Sequence, residues 1–376
     1  MAPDRGPLDA ELMTVGTDEV VVTFRTDVET TVTTRVGDRD VTTSGRYHSA
    51  RVDGLEPGTR YDVEVEGSPY TAYLPVAVTT LERPTGRLGA TFATTNDVHF
   101  GEVECGHLDV PEGSEPFGPV LRAEPGDPPY PEVMNRAAIA EMRELDPDAV
   151  LVKGDLTDIG SEEQYQMFLD AYTQLGPRMR HVRGNHDAMI DPTMALEGAP
   201  YAIELDGATL AVLDTTTPGT DKGQLPRDQV SWLDQVAAEA VTPVLVFGHH
   251  HPWDPASAQR TASYFGINPD DSEALHEVVA RREAIAGYFA GHTHRNRIRH
   301  FPSARNIPIV EVACVKDFPG AWAEYRIYEG GYTQVVRRVA APDAMAWTEK
   351  TRAMFHGLYR DYALGGIEDR CFTYTF

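Results

Sequence analysis

The sequence predicts two unlike units, an α/β domain and, ahead of it, a small all-β sandwich. Three observations carry this. Residues 10 to about 82 hold β-branched runs punctuated by turn residues. Glu82-Arg83-Pro84-Thr85-Gly86 reads as a linker. Beyond it, apolar strands alternate with helical stretches, which marks an α/β domain. A length of 376 residues allows roughly two or three domains. We place the units at 1–82, 88–340 and 341–376, the last a C-terminal helix and tail packed on the α/β domain.

In the first unit, Glu19 to Phe24 is a β-branched run and Thr31 to Val36 a second strand. Tyr61 to Glu66 alternates apolar and charged residues with period two, as a half-buried strand does. Val36-Gly37-Asp38, Asp53-Gly54 and Pro57-Gly58 supply the turns. In the second unit, Thr91 to Thr95 is the first strand and Val133 to Leu145 a helix with an apolar face. Ala149 to Val152 is the next strand. Ser161-Glu162-Glu163-Gln164 reads as an N-cap opening a helix to Leu175. Strands follow near 179–183, 203–213, 243–247 and 285–290, and helices near 227–239 and 271–283. Residues 300–340 read as further strands, and 341–376 as a helix and tail. Residues 100–131, rich in Gly and Pro, break the rhythm; a loop of that length is a functional lid or a disordered insertion.

Charge and cysteine content narrow the function classes. Against 33 Lys and Arg stand 58 Asp and Glu, a formal charge of −25. That field repels polyanions, so a nucleic-acid polymer is not an expected partner, whereas a small phosphate ester remains compatible if bound cations invert the local sign. Most of the excess acid is solvated surface. Cys105, Cys314 and Cys371 lack CxxC spacing and their odd number argues against a disulfide framework. No apolar run approaches the roughly 20 residues of a membrane span. The first residues show no basic region leading into an apolar one, so the expected location is cytoplasmic, away from membranes.

Five clusters stand at the ends of apolar strands: Asp97-Val98-His99, Gly154 to Asp158, Gly184-Asn185-His186-Asp187, Gly248-His249-His250-His251-Pro252 and Gly291-His292-Thr293-His294. In α/β sheets, ligands bind outside the carboxyl ends of the strands, so all five can converge there. One Asp-X-His or His-X-His is common and means little alone. Five in series at strand ends point to metal binding by N and O donors without thiolate, a set that suits Mn, Fe or Zn. The preceding glycines are expected to let the backbone turn sharply.

These clusters resemble those of the calcineurin-like metallophosphoesterases over about residues 90–300. The resemblance implies a β-sandwich core flanked by helices and two divalent or trivalent metal ions. It implies that Asp97, His99, Asp155 and His294 hold one ion. Asp155, Asn185, a histidine of the 249–251 run and His292 would hold the other. The ligand in that run commonly sits two residues before a proline, which selects His250, with His249 as the alternative. His186 resembles the histidine that protonates the leaving oxygen, and Asp158 the acid that orients it. Asp187 is expected to hydrogen-bond behind the ligands. A pair of ions at such a site clamps phosphoryl oxygens and makes hydroxide available near neutral pH.

Departures narrow the subclass. Purple acid phosphatases carry a glycine where His99 stands and a tyrosine where Asp158 stands, so an iron–tyrosinate site is not expected. Protein serine/threonine phosphatases place an arginine where Ile159 stands. The set is most similar to bacterial cyclic-nucleotide phosphodiesterases, and Gly223-Gln224-Leu225 through Trp232-Leu233 adds to that likeness. Expected is hydrolysis of a small phosphodiester, with a phosphomonoesterase as the alternative. Leu55 to Tyr61 resembles the tyrosine corner of fibronectin type III domains. Weaker candidates are Cys105 and His107 near the site, Trp253 as a pocket wall and Arg295 as a phosphate contact. The aromatic end, Phe372 to Phe376, is expected to pack on the core or a second copy.

Overall fold

The computed structural model describes residues 6–107, 117–196, 198–261 and 263–376. Part of the 100–131 insertion, residues 108–116, thus lies outside the described residues.

The N-terminal unit holds β1 (Leu8–Val15), β2 (Glu19–Val36), β3 (Arg39–Asp53), β4 (Arg60–Val65) and β5 (Ala77–Thr79). All pair antiparallel. The two strands expected around 19–24 and 31–36 are one long strand, with a register shift between Arg25 and Thr30 where it bends. The five strands join through β2 as one connected sheet whose parts share an apolar cluster including Val22, Phe24, Val36 and Val63. At the predicted tyrosine corner, the Glu56 N–H donates to the Tyr61 hydroxyl at 2.9 Å.

The α/β domain is built on two six-stranded mixed sheets. One contains β6 (Leu88–Thr95), β7 (Ala149–Lys153), β8 (Met179–Val182), β15 (Ala321–Tyr328), β16 (Gly331–Arg338) and β17 (Phe372–Thr375), ordered 17-16-15-6-7-8. The other contains β9 (Tyr201–Leu205), β10 (Ala208–Val212), β11 (Val244–Phe247), β12 (Ile285–Ala290), β13 (Arg297–His300) and β14 (Pro308–Glu311), ordered 13-14-12-11-10-9. Each has a parallel stretch: β6, β7 and β8 at one end of the first sheet, and β10, β11, β12 and β14 across the centre of the other. Aromatic rings join them. Phe247 of the second sheet meets Phe92 and Tyr325 of the first edge-on, at 5.9 Å and 6.2 Å between centroids.

Helices α1 (Tyr130–Leu145) and α2 (Glu162–Tyr172) add Met134, Met142 and Phe168 to the inter-sheet cluster. Helices α3 (Arg227–Glu239) and α4 (Pro269–Arg281) pack Leu233 and Leu275 into a second one beside β11 and β12. Ser161 caps α2 as its sequence predicts, its hydroxyl accepting from Gln164 N–H, but the helix tightens into a 3₁₀ segment after Tyr172. The single strand expected at 203–213 is the hairpin of β9 and β10, turning at Asp206-Gly207, where Gly207 has φ +93°. The C-terminal region is two helices, α5 (Pro342–Thr351) and α6 (Leu358–Leu364), and then β17. The aromatic end packs on this chain's own core, Tyr374 lying 5.4 Å from Tyr332.

The two units are fastened by buried ions. Glu11 of β1 is fully buried and accepts from both Arg352 and Arg360, with Arg360 Nε at 2.7 Å. Arg370 donates to the carbonyls of Leu12 and Met13. All three cysteines are free and buried. Among the described residues no helix is long and apolar enough to cross a membrane.

Candidate metal centre

The parallel strands β6, β7, β8, β11 and β12 all end at one edge, and the five sequence clusters lie just beyond those ends. The backbone there is unusual. Asp97, His99, Asp155, His292 and His294 all have positive φ, between 46° and 67°. Left-handed backbone is costly for residues with a Cβ and is found where surrounding structure enforces it. Of the preceding glycines, only Gly154, at φ +87°, is itself left-handed. The others serve close approach instead. A Cβ on Gly184 would lie 2.3 Å from Asp155 Oδ1, and one on Gly291 would lie 2.7 Å from Asp97 Oδ2.

The carboxylate of Asp155 is central. Its Oδ2 lies 3.7 Å from His99 Nε2 and 3.2 Å from His249 Nε2, and its Oδ1 accepts from His186 N–H at 2.9 Å. On one side stand Asp97, His99 and His294, with His294 Nε2 at 3.3 Å from Asp97 Oδ1. On the other stand His249, His250 and His292. Asn185 Oδ1 is 3.1 Å from His249 Nε2. Each of these two sets, and Asp97, Asp155 and His249 as a third, offers ligand atoms within 4.8 Å of one another. Both ring nitrogens of His99 and the Nε2 atoms of His250 and His292 are buried with no hydrogen-bond partner. Buried polar atoms are rarely left so. Orphaned imidazole nitrogens turned toward carboxylates fit cations.

Electrostatics agrees with that fit. Burial first, and then neighbouring imidazoles, holds His250 and His292 well below the usual histidine range, so these rings are neutral. Burial opposes charge on His249 as well, but Asp155 outweighs it and raises the group to about 9. Asp155 itself is held well below the usual range; burial works against this, and His249 and His186 prevail.

The two histidines of the fourth cluster differ in tautomer. His249 Nδ1 lies 2.9 Å from the Lys153 carbonyl, an acceptor only, so Nδ1 carries hydrogen and Nε2 is the ring atom that faces Asp155 and Asn185. His250 Nδ1 meets the Thr215 hydroxyl at 2.9 Å, which donates or accepts and leaves the tautomer open.

His186 lines the cavity above Asp155, its ring 4.5 Å from that of His99. Its Nδ1 lies 2.5 Å from the backbone carbonyl of Asp158. The Asp158 carboxylate belongs to the same cluster of ligand-capable atoms, but the close contact comes from the main chain. Asp187 accepts from Leu156 N–H, Thr157 N–H, the Thr157 hydroxyl and Gly184 N–H, tying the second and third clusters together.

A sixth segment enters the site. Strand β14 is also parallel, and the loop after it carries Cys314, Lys316 and Asp317. Asp317 lies 3.6 Å from His294 Nδ1 and accepts from Tyr359 at 2.5 Å and Cys314 at 2.8 Å. Burial, with Asp317 beside it, pushes the Cys314 thiol up to about 11, so it remains protonated. Lys316 Nζ sits 2.8 Å from Glu102, whose carboxylate also accepts from Tyr130. The strand-end rule that found the other clusters could have found this one.

The weaker candidates divide. Cys105 and His107 line the cavity. Trp253 and Arg295 are not among its described lining residues: Trp253 donates to Gln259 and is covered by Arg260, and Arg295 pairs with buried Glu311 at 2.9 Å. The cavity over the centre measures about 780 Å³.

Parallel strands converging on paired clusters of imidazoles and carboxylates form a site suited to binding metal ions. A family model for calcineurin-like phosphoesterases matches residues 90–296, more than half of the chain. The chain belongs to that family. It is 29% identical over 163 residues to a probable cyclic nucleotide phosphodiesterase of Synechococcus sp., covering 42% of this chain and 62% of that protein. It is 28% identical to a cAMP/cGMP dual specificity phosphodiesterase of Mycobacterium tuberculosis, covering 40% and 49%. It is also 28% identical to a glycerophosphodiester phosphodiesterase of Enterobacter lignolyticus, covering 42% and 60%. The matches thus span about half to three fifths of these relatives. Among solved structures, a dimetal phosphatase from Danio rerio aligns with a TM-score of 0.48 at 16% identity, covering 67% of this chain and 97% of that one.

Proposed function

We propose that this chain hydrolyses small phosphodiesters at a centre of two metal ions bridged by Asp155. The observation that carries this is Asp155 Oδ2, which lies between His99 Nε2 and His249 Nε2 and so between two sets of ligand-capable atoms. Asp97, His99, Asp155 and His294 would hold one ion. Asp155, Asn185, His292 and one histidine of the 249–251 run would hold the second. The sequence expectation selects His250. The geometry favours His249, whose Nε2 faces both Asp155 Oδ2 at 3.2 Å and Asn185 Oδ1 at 3.1 Å, the other oxygen donors proposed for that ion. His250 stays the alternative.

Bound there, two ions supply Lewis acidity to phosphoryl oxygens and an activated water near neutral pH; Mn, Fe or Zn suits the donors. The protein's own groups do the rest. Asp155 holds the centre together and orients the His186 backbone through Oδ1. His186, its Nδ1–H directed at the Asp158 carbonyl, keeps Nε2 as the ring atom that exchanges a proton with the leaving oxygen. Asp158 acts here through its main chain.

Diester chemistry is supported by the relatives, which are named as cyclic-nucleotide and glycerophosphodiester phosphodiesterases. We read the N-terminal unit as fibronectin type III-like, supported by the Tyr61 hydroxyl closing on Glu56. A panel of bis-p-nitrophenyl phosphate, p-nitrophenyl phosphate and cyclic nucleotides on Mn-loaded protein tests the reading. Diester turnover well above monoester turnover is expected. The reverse ratio would select the phosphomonoesterase reading.

A further inference from the structure

Above the metal-binding end, the cavity changes character. Phe265 lies over the His292 imidazole, ring centroids 4.0 Å apart, yet stays 47% exposed. Helix α6 brings Leu358 and Tyr362 to the same cavity, 61% and 45% exposed. Tyr362 is pinned there, its hydroxyl donating to the Thr293 carbonyl at 2.8 Å. Met189 joins them from the loop after His186. One exposed apolar side chain needs no explanation. Four lining one cavity over a phosphate-binding centre form a surface suited to an apolar ligand group. Leu358 and Tyr362 lie beyond residue 296, outside the family match, whereas Met189 and Phe265 lie within it.

Charge points the same way. Among the described lining residues, Lys316 is the one Lys or Arg, and it is occupied by Glu102 and Asp317. Glu104, Asp158 and Asp221 also face the cavity. Among the described lining residues, none beyond the metal-binding end is therefore equipped to receive a second anionic group, and several carboxylates would repel one.

We infer that the substrate carries a single phosphate at the metal-binding end and an apolar, non-anionic organic group that lies against Phe265, Met189, Leu358 and Tyr362. This rests on the phosphodiesterase reading above and names its substrate class.

The test uses Mn-loaded full-length protein, with metal content measured, and p-nitrophenyl phosphodiesters that differ only in the second ester group. Methyl, benzyl and 2-carboxyethyl esters keep the same leaving group. The benzyl ester should exceed the methyl ester in kcat/KM by about tenfold or more, the order expected from burying an aromatic side chain. The carboxyethyl ester should fall below the methyl ester. Leu358→Asn and Met189→Asn, both at exposed positions, should each lower the benzyl-to-methyl ratio by roughly threefold or more, as loss of a few buried methylenes predicts. Equal kcat/KM for benzyl and methyl esters, or a ratio unchanged in both variants, overturns the inference and leaves the phosphodiesterase reading intact. No hydrolysis of any of the three by protein holding two ions overturns both.

Discussion

Gly184→Ala probes the close approach on which the centre depends. The added Cβ would stand 2.3 Å from Asp155 Oδ1, 2.4 Å from Asp155 N and 2.8 Å from His249 Nε2. Ordinary contact begins near 3.4 Å, so the third cluster and Asp155 must part by about 1 Å. One of the three atoms is backbone, and the carboxylate is fixed by His186 N–H and His249, so no flexible side-chain end can simply swing away. Overpacking of this kind costs about 1–3 kcal/mol. Metal ligands tolerate only about 0.2 Å, and disturbing groups that support them typically costs roughly 10–100-fold in affinity. The backbone of Gly184 is not left-handed, so alanine brings no φ strain to confuse the result. Mn titration of metal-free protein, with circular dichroism to check the fold, should show a folded protein whose weaker site has lost at least about tenfold in affinity. Two sites of unchanged affinity with unchanged thermal stability would refute the packing argument.

Three further outcomes follow from the same geometry. His249→Ala should abolish one of two bound ions, whereas His250→Ala should keep both; metal analysis showing the opposite pattern would return the ligand role to His250. His186→Ala should retain both ions but slow turnover by about 10²–10⁴-fold, more for poor leaving groups than for p-nitrophenol; equal slowing across a leaving-group series would remove the proton-transfer role. Glu11→Ala leaves buried Arg352 without its main partner and should destabilise the protein by about 3–5 kcal/mol, read as a lower thermal midpoint with turnover by the remaining folded protein near wild type; a midpoint within about a degree would show the buried pair to be dispensable.

Much of the domain was legible because its strands are short apolar runs ending in residues that cannot be ordinary core. Val244 to Phe247 and Ile285 to Ala290 are fully or nearly fully buried, and each ends in Gly-His. The 3.6-residue period likewise placed α3 at its observed bounds. Errors arose where a local signal was weak or overridden. The Asp206-Gly207 turn lies inside an otherwise continuous strand pattern, and β2 reads as two strands because Asp27 and Glu29 interrupt its apolar pattern at the register shift. The loop carrying Lys316 and Asp317 escaped notice because it holds no histidine. Phe265, Leu358 and Tyr362 have no sequence signature at all. They reach the cavity only through tertiary packing of segments far from the ligand clusters in the chain. Cluster order alone could not separate His249 from His250 either, since the difference lies in what each ring nitrogen meets.

The central claim is that Asp155 joins two ions into one hydrolytic centre. Asp155→Asn, which keeps the size and removes the charge, tests it most directly when metal content and phosphodiester turnover are measured on the same preparation. The bridging role of Asp155 requires that bound metal fall from two ions per chain and that turnover fall with it by several orders of magnitude. Two tightly bound ions with wild-type turnover would contradict it.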